Sequence, residues 1–302
     1  MEKKIGKSIA RQFYSKFGEA QAMDVYIVDL LQRMSREHSL NDPRRVFMFL
    51  RQCLAHTRLD VVTLKAGSNN GLRAQRFARF MEAVDGGLPP LPESVALRCA
   101  SIADVYLASS EEVPRRGADV AWHFARSSIG MVKARVLSAA IRFMRPGRCL
   151  EIGTAYGLSA AVMAFALQRV APEGRLLTIE IGEIQHRCAA ALLGGLFGDR
   201  VECRKGNSKE ILAPAASETA PLDFVFHDGG HSGENYVRDF SNVVDVLSPG
   251  AVVVFDDIRW RDALDPQADD PRCYAGWREV VDHVRVESAV EIGPALGLVM
   301  VS

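Results

Sequence analysis

From about Ala121 onward, helical patterns alternate with short apolar runs, and this alternation constrains the fold more than any other feature of the chain. Short buried strands separated by helices assemble as βαβ units around a parallel sheet. The expected strands are Arg148 to Ile152, Arg175 to Ile179, Val201 to Arg204, Phe224 to His227 and Ala251 to Phe255. Two last runs, around Ala289 to Ile292 and Gly297 to Val301, are joined only by "GPAL". That link is too short for a parallel crossover, so it predicts an antiparallel hairpin.

Acids sit at the ends of three of these runs, in "CLEIGTAYGLSA", "FVFHDGGHSGENY" and "VVVFDDIRW". Side chains at the carboxyl ends of neighbouring parallel strands converge on the crevice where such sheets bind ligands. After "RCLEI", Gly153 and Gly157 permit a tight turn and a close approach to the backbone, and a helix N-terminus follows at "LSAAVMAFAL". The spacing Gly153, Ala155, Gly157 departs from the GxGxxG of nicotinamide-binding folds. Glu180 closes the second strand, where a carboxylate suits the two hydroxyls of a ribose.

The part before this alternation reads as helices. Met23, Tyr26, Ile27, Leu30, Leu31 and Met34 share one face. Asp42 and Pro43 mark a helix start, and a further helix is expected near Leu72 to Val84 before the breaker "GGLPPLP". The expected division is therefore a helical cap or oligomerisation region over 1–118, able to support a homodimer, and an α/β domain over 119–302. Residues 33 to 79 hold ten Arg or Lys against Glu37, Asp42 and Asp60. Such a cluster suits either solvated helix faces or a phosphate-bearing partner, and no nucleic-acid motif accompanies it.

Composition narrows the classes. With 302 residues, 48% of them apolar, the chain can bury one large core with room for an accessory region. Lys plus Arg and Asp plus Glu both total 37, so no global field draws polyanions or membranes. The six cysteines are scattered without a CxxC pair and read as reduced thiols. The start, "MEKKIGKSIARQF", has no apolar segment behind its charges, and no window reaches the length of a membrane span. A cytoplasmic protein without a membrane partner is expected.

In order, "LEIGTAYGLSA", "LLTIE", "GNSKEIL", "LDFVFHDGGHSGENY" and "LSPGAVVVFDDIRW" resemble the successive motifs of class I S-adenosylmethionine-dependent methyltransferases. Within that class the chain is similar to the metal-dependent O-methyltransferases of the catechol and caffeoyl-CoA type and the related sugar O-methyltransferases. The resemblance covers roughly Ser127 to Ser302. It implies a Rossmann-like, doubly wound, mostly parallel seven-stranded sheet with an antiparallel last strand. It also implies methyl transfer from S-adenosylmethionine to a hydroxyl of a small-molecule acceptor.

Carried over residue by residue, the resemblance implies cofactor contacts from Glu151, Gly153, Ala155, Tyr156, Gly157, Ser159, Glu180, Asn207, Ser208 and Asp228. It implies Mg²⁺ on Asp228, Asp256 and Asp257, an oxygen-only set that a hard divalent cation would relieve of its mutual repulsion. Catechol-type members carry Asn where this chain has Asp257. His231, three residues after Asp228, stands where that type has a lysine base. Imidazole accepts a proton near neutrality with little tuning, so His231 and Asp228 are the expected catalytic pair. Equally open is His231 as a loop residue bonded to backbone. His227 is expected on the opposite side of its strand, as a structural residue, and Trp260 as core. Two other functions stay open: methylation of RNA or a carrier-bound substrate, and a non-catalytic S-adenosylmethionine-binding module.

Overall fold

The computed structural model describes residues 59–67, 71–88, 129, 131–259, 271–293 and 296–302. Trp260 and the first expected helices lie outside them. The chain divides into two units, Met1–Ala55 with Pro90–Val132, and His56–Pro89 with Lys133–Ser302. Only the second contributes a sheet among the described residues.

Its elements follow the expected alternation. The order is β1 (Val61–Lys65), α1 (Leu72–Asp85), α2 (Met131–Met144), β2 (Arg148–Ile152), α3 (Leu158–Val170), β3 (Arg175–Glu180) and α4 (Glu183–Phe197). Then come β4 (Val201–Lys205), α5 (Ser208–Thr219), β5 (Leu222–His227), α6 (Gly233–Val243), β6 (Leu247–Phe255), α7 (Pro271–Asp282), β7 (Val286–Ile292) and β8 (Leu296–Val301). These strands form one sheet in the order β1, β7, β8, β6, β5, β2, β3, β4. The five strands from β2 to β6 run parallel, and β8 inserts antiparallel between β6 and β7. The two last runs form the expected hairpin.

Among the described residues the sheet has eight strands where seven were expected. The additional one, β1, lies in sequence that was expected to be helical and pairs antiparallel with β7, Val61 opposite Ile292 and Thr63 opposite Val290. Being an edge strand, it needs only one apolar face, and Val62 points outward, 51% exposed. Residues 61–85 thus belong to the sheet unit. Helix α1 is fastened to it by Arg73, whose guanidinium donates to Asp223 Oδ1 at 2.6 Å and to the Pro249 carbonyl at 3.1 Å. Asp223 Oδ2 also accepts from the backbone N–H groups of Gly147 and Arg148.

The central strands β5 and β6 are apolar at consecutive positions because helices cover both faces of the sheet. Phe224, Val225 and Phe226 are buried, as are all of Ala251 to Phe255. On one face Phe255 packs with Tyr236 of α6 and Trp277 of α7, both fully buried. This packing fixes the register that positions the site. Ile152 lies opposite Ile179 on one side and His227 on the other, and His227 lies opposite Phe255. The residues that follow these four are therefore neighbours at one end of the sheet. No helix among the described residues is long and apolar enough to cross a membrane.

Candidate active site

Backbone hydrogen bonds continue the sheet one residue past the strands. Gly153 N–H donates to Ile179 O at 2.9 Å, Asp228 N–H to Ile152 O at 2.8 Å, and Asp256 N–H to His227 O at 2.8 Å. The first residue of each terminal turn is thereby held as rigidly as the sheet itself. Gly153 has φ +91°, and a Cβ added there would stand 2.2 Å from the Asp228 carbonyl oxygen. The close approach suggested by the "EIGTAYG" turn is thus made by the neighbouring strand end. That alone requires glycine, with or without a ligand.

Beyond Gly153 the turn returns to left-handed conformations at alternate positions, with φ +45° at Ala155 and +90° at Gly157, which is the N-cap of α3. Glu180 holds this turn in place. Its Oε2 accepts from Ala155 N–H and its Oε1 from Gly182 N–H, both at 2.6 Å. A carboxylate oxygen retains a further lone pair beyond one such bond, so Glu180 can still receive ribose hydroxyls. Tyr156 is half-buried on the turn and Ser159 is buried in the first turn of α3.

Glu151 is fully buried beneath the turn. The Thr178 hydroxyl donates to its Oε2 at 2.5 Å, while Oε1 makes no hydrogen bond of ordinary geometry. Burial pushes this carboxyl up to about 7, against the Ser159 and Thr178 hydroxyls, which pull it down. One strand further along, Asn207 caps α5 through Oδ1, which accepts from Lys209 N–H at 3.1 Å. The Ser208 hydroxyl donates to Asp239 Oδ2 at 3.4 Å. Gly206 N–H donates to Glu180 O at 2.9 Å, so this pair adjoins the Glu180 turn. The structure brings all the expected cofactor-binding residues to one end of the sheet.

On the other side of Gly153 lie Asp228, Asp256, Asp257 and His231. Asp256 is buried at the end of β6, its backbone carbonyl accepting from the Tyr236 hydroxyl at 2.7 Å. Asp257 adopts φ +53°, a left-handed conformation that costs a non-glycine residue energy and recurs at functional sites. His231 Nε2 stands 3.9 Å from both Asp228 Oδ1 and Asp257 Oδ2. Burial lowers the His231 pKa, outweighing the Asp257 charge that raises it. Burial raises Asp228 well above the carboxylate range, and the nearby Asp256 charge adds to this. His227 takes the structural place expected of it, buried with Nε2 3.0 Å from Asp239 Oδ2 and its ring stacked on Phe255.

Sequence reasoning missed Lys133. Its Nζ lies 2.5 Å from Asp256 Oδ1 and 2.7 Å from Asp257 Oδ1, bridging two of the three carboxylates expected to hold Mg²⁺. These two acids outweigh the effect of burial and raise the Lys133 pKa, which keeps the ammonium charged. Among the described residues, no group of three or more His, Cys, Asp or Glu side chains is arranged to hold a metal ion. The expected set converges, but its Asp256 and Asp257 oxygens face an ammonium in this arrangement, which does not fit a divalent cation. The only advance signal was a lysine early in a helix that leads into the first motif.

A protein family described as "Methyltransferase domain" matches residues 150–258. Over 141 residues the chain is 33% identical to a "Probable O-methyltransferase" of Mycobacterium tuberculosis, covering 44% of this chain and 58% of that protein. It is 21% identical over 168 residues to the caffeoyl-CoA O-methyltransferase of Petroselinum crispum, covering 54% and 65% respectively. The chain thus spans about three fifths of the length of these curated relatives. Among solved structures, the O-methyltransferase from Bacillus cereus in complex with SAH has a TM-score of 0.51 at 20% identity, covering 68% of this chain and 100% of that one. The sheet unit has a methyltransferase-like fold, and its segment 150–258 matches the methyltransferase-domain family.

Proposed function

We propose that this protein transfers a methyl group from S-adenosylmethionine to a hydroxyl of a small-molecule acceptor. The observation that carries the reading is the contact of Gly153 with the Asp228 carbonyl, which sets the cofactor turn directly beside the acid and histidine cluster. A donor over the turn and an acceptor over the cluster then meet in line. Glu180 would receive the ribose hydroxyls, and the buried Glu151 oxygen without a hydrogen bond is a polar group that a bound donor or a water can satisfy. Asn207 and Ser208 adjoin the adenine end.

The chemistry asks little of the protein beyond position and a proton acceptor, because a sulfonium is already a good leaving centre. The acceptor oxygen attacks the methyl carbon, the carbon–sulfur bond breaks with its electron pair going to sulfur, and the hydroxyl proton passes to His231 Nε2. His231 is poised for this because burial favours its neutral form. Asp228 borders the same space. Magnesium was expected on Asp228, Asp256 and Asp257, but two of those carboxylates are bridged by Lys133.

The test is calorimetry with S-adenosylmethionine and NAD, followed by an acceptor screen across hydroxylated aromatics, sugars and polyketides. Binding of the sulfonium donor and release of its demethylated product with one acceptor class support the reading. Tight NAD binding without response to the donor overturns it. Turnover on RNA that falls steeply with added salt would favour the nucleic-acid alternative, since a neutral acceptor is almost indifferent to salt.

A further inference from the structure

We propose that Lys133 is the resident cation of the acceptor site, a positioning residue whose ammonium holds Asp256 and Asp257 at the place where a divalent ion was expected. The inference deepens the methyl-transfer reading and rests on it for the site's role, though not for the ion pair.

Asp256 is almost fully buried and Asp257, held beside it on a left-handed backbone, is little exposed, so the two adjacent like charges are poorly screened by water. A cation between them relieves that repulsion. Lys133 Nζ supplies it, in contact with one oxygen of each. Its helix is fixed by the apolar residues that follow: Ala134, Val136, Leu137, Ala140 and Ile141 are buried. The ammonium thus projects from an anchored helix, and its side chain is only 24% exposed. An ammonium is a compact charge with three donors and can bridge two acceptors while offering a third hydrogen bond to an acceptor oxygen.

A bridging ammonium and a divalent ion cannot occupy the same pair of oxygens. The metal requirement therefore becomes a property of residue 133, which can be read with Mn²⁺ alone, without any acceptor. In electron paramagnetic titrations of the full chain, Lys133→Met should bind Mn²⁺ at least tenfold more tightly than wild type. Lys133→Arg, which keeps the charge, should bind as weakly as wild type. Lys133→Met combined with Asp257→Asn should lose the gained binding.

Melting curves supply a second readout that tolerates a destabilised variant. Millimolar Mn²⁺ should raise the melting temperature of Lys133→Met and leave that of wild type unchanged. Equal Mn²⁺ affinity in wild type and Lys133→Met, whether tight or undetectable, overturns the proposal. A wild type that fails to bind S-adenosylmethionine would sink the methyl-transfer reading, while the Mn²⁺ comparison would still decide the role of Lys133.

Discussion

The two sides of Gly153 are built differently. On the donor side, main-chain N–H groups do the holding: Gly153 N–H continues the sheet ladder to Ile179 O, and the Glu180 carboxylate is clamped by the N–H groups of Ala155 and Gly182. On the acceptor side, charge holds charge, and the cation that balances Asp257 lies 124 positions away on another element. The first arrangement is rigid before any ligand arrives, which suits a site that sets affinity. The second concentrates buried ionisable groups, which suits a site that moves a proton. Changes on the donor side should alter binding, and changes on the acceptor side should alter rate.

His231→Ala should produce the largest effect, because removal of a general base costs about 10² to 10⁴ in turnover. Single-turnover kinetics at saturating donor would show it, and an unchanged rate would return His231 to the role of a loop residue. Gly153→Ala attacks the point where the two sides touch, so it should damage both. A Cβ 2.2 Å from the Asp228 oxygen at positive φ cannot be accommodated without backbone movement. A loss of stability of about 1–3 kcal/mol, with weaker donor binding and slower turnover together, is expected. If only one property changed, the boundary between the sides would be elsewhere.

Asp223→Asn should have the smallest effect and touch neither side, since it loosens the opposite end of β5 and the α1 anchor. Burial raises the Asp223 carboxyl, but bonds from Gly147 N–H and Ser248 and the Arg73 charge prevail and hold it below its ordinary value. Its contribution to stability is therefore present above the unfolded pKa of about 3.9 and is lost as pH falls through the lower folded value. The variant should cost roughly 1 kcal/mol at neutral pH in urea titrations and leave turnover intact. The difference from wild type should vanish in acid.

The same contrast explains what the sequence disclosed. The expected start of β2, the carboxylate at the end of β3 and the final hairpin were legible because each is written in consecutive residues: an apolar run, its terminal acid, a link too short to cross over. Strand β1 was not legible. Five half-exposed residues between basic helical patterns carry too little alternation to announce an edge strand. The need for Gly153 was visible but its cause was not, because the atom it accommodates belongs to a strand end 75 positions later, at Asp228. Lys133 was least legible, since a lysine on an amphipathic helix ordinarily faces water and only tertiary packing turns this one toward Asp256 and Asp257.

If affinity and rate reside on opposite sides of Gly153, donor titration calorimetry on wild type, Glu180→Ala and His231→Ala separates them. Loss of charge-assisted hydrogen bonds at Glu180 should weaken S-adenosylmethionine binding by about 1.5–3 kcal/mol, roughly 10- to 150-fold. The His231→Ala isotherm should superimpose on wild type. Equal weakening in both variants, or an unaltered isotherm for Glu180→Ala, would mean that the two sides are not separate.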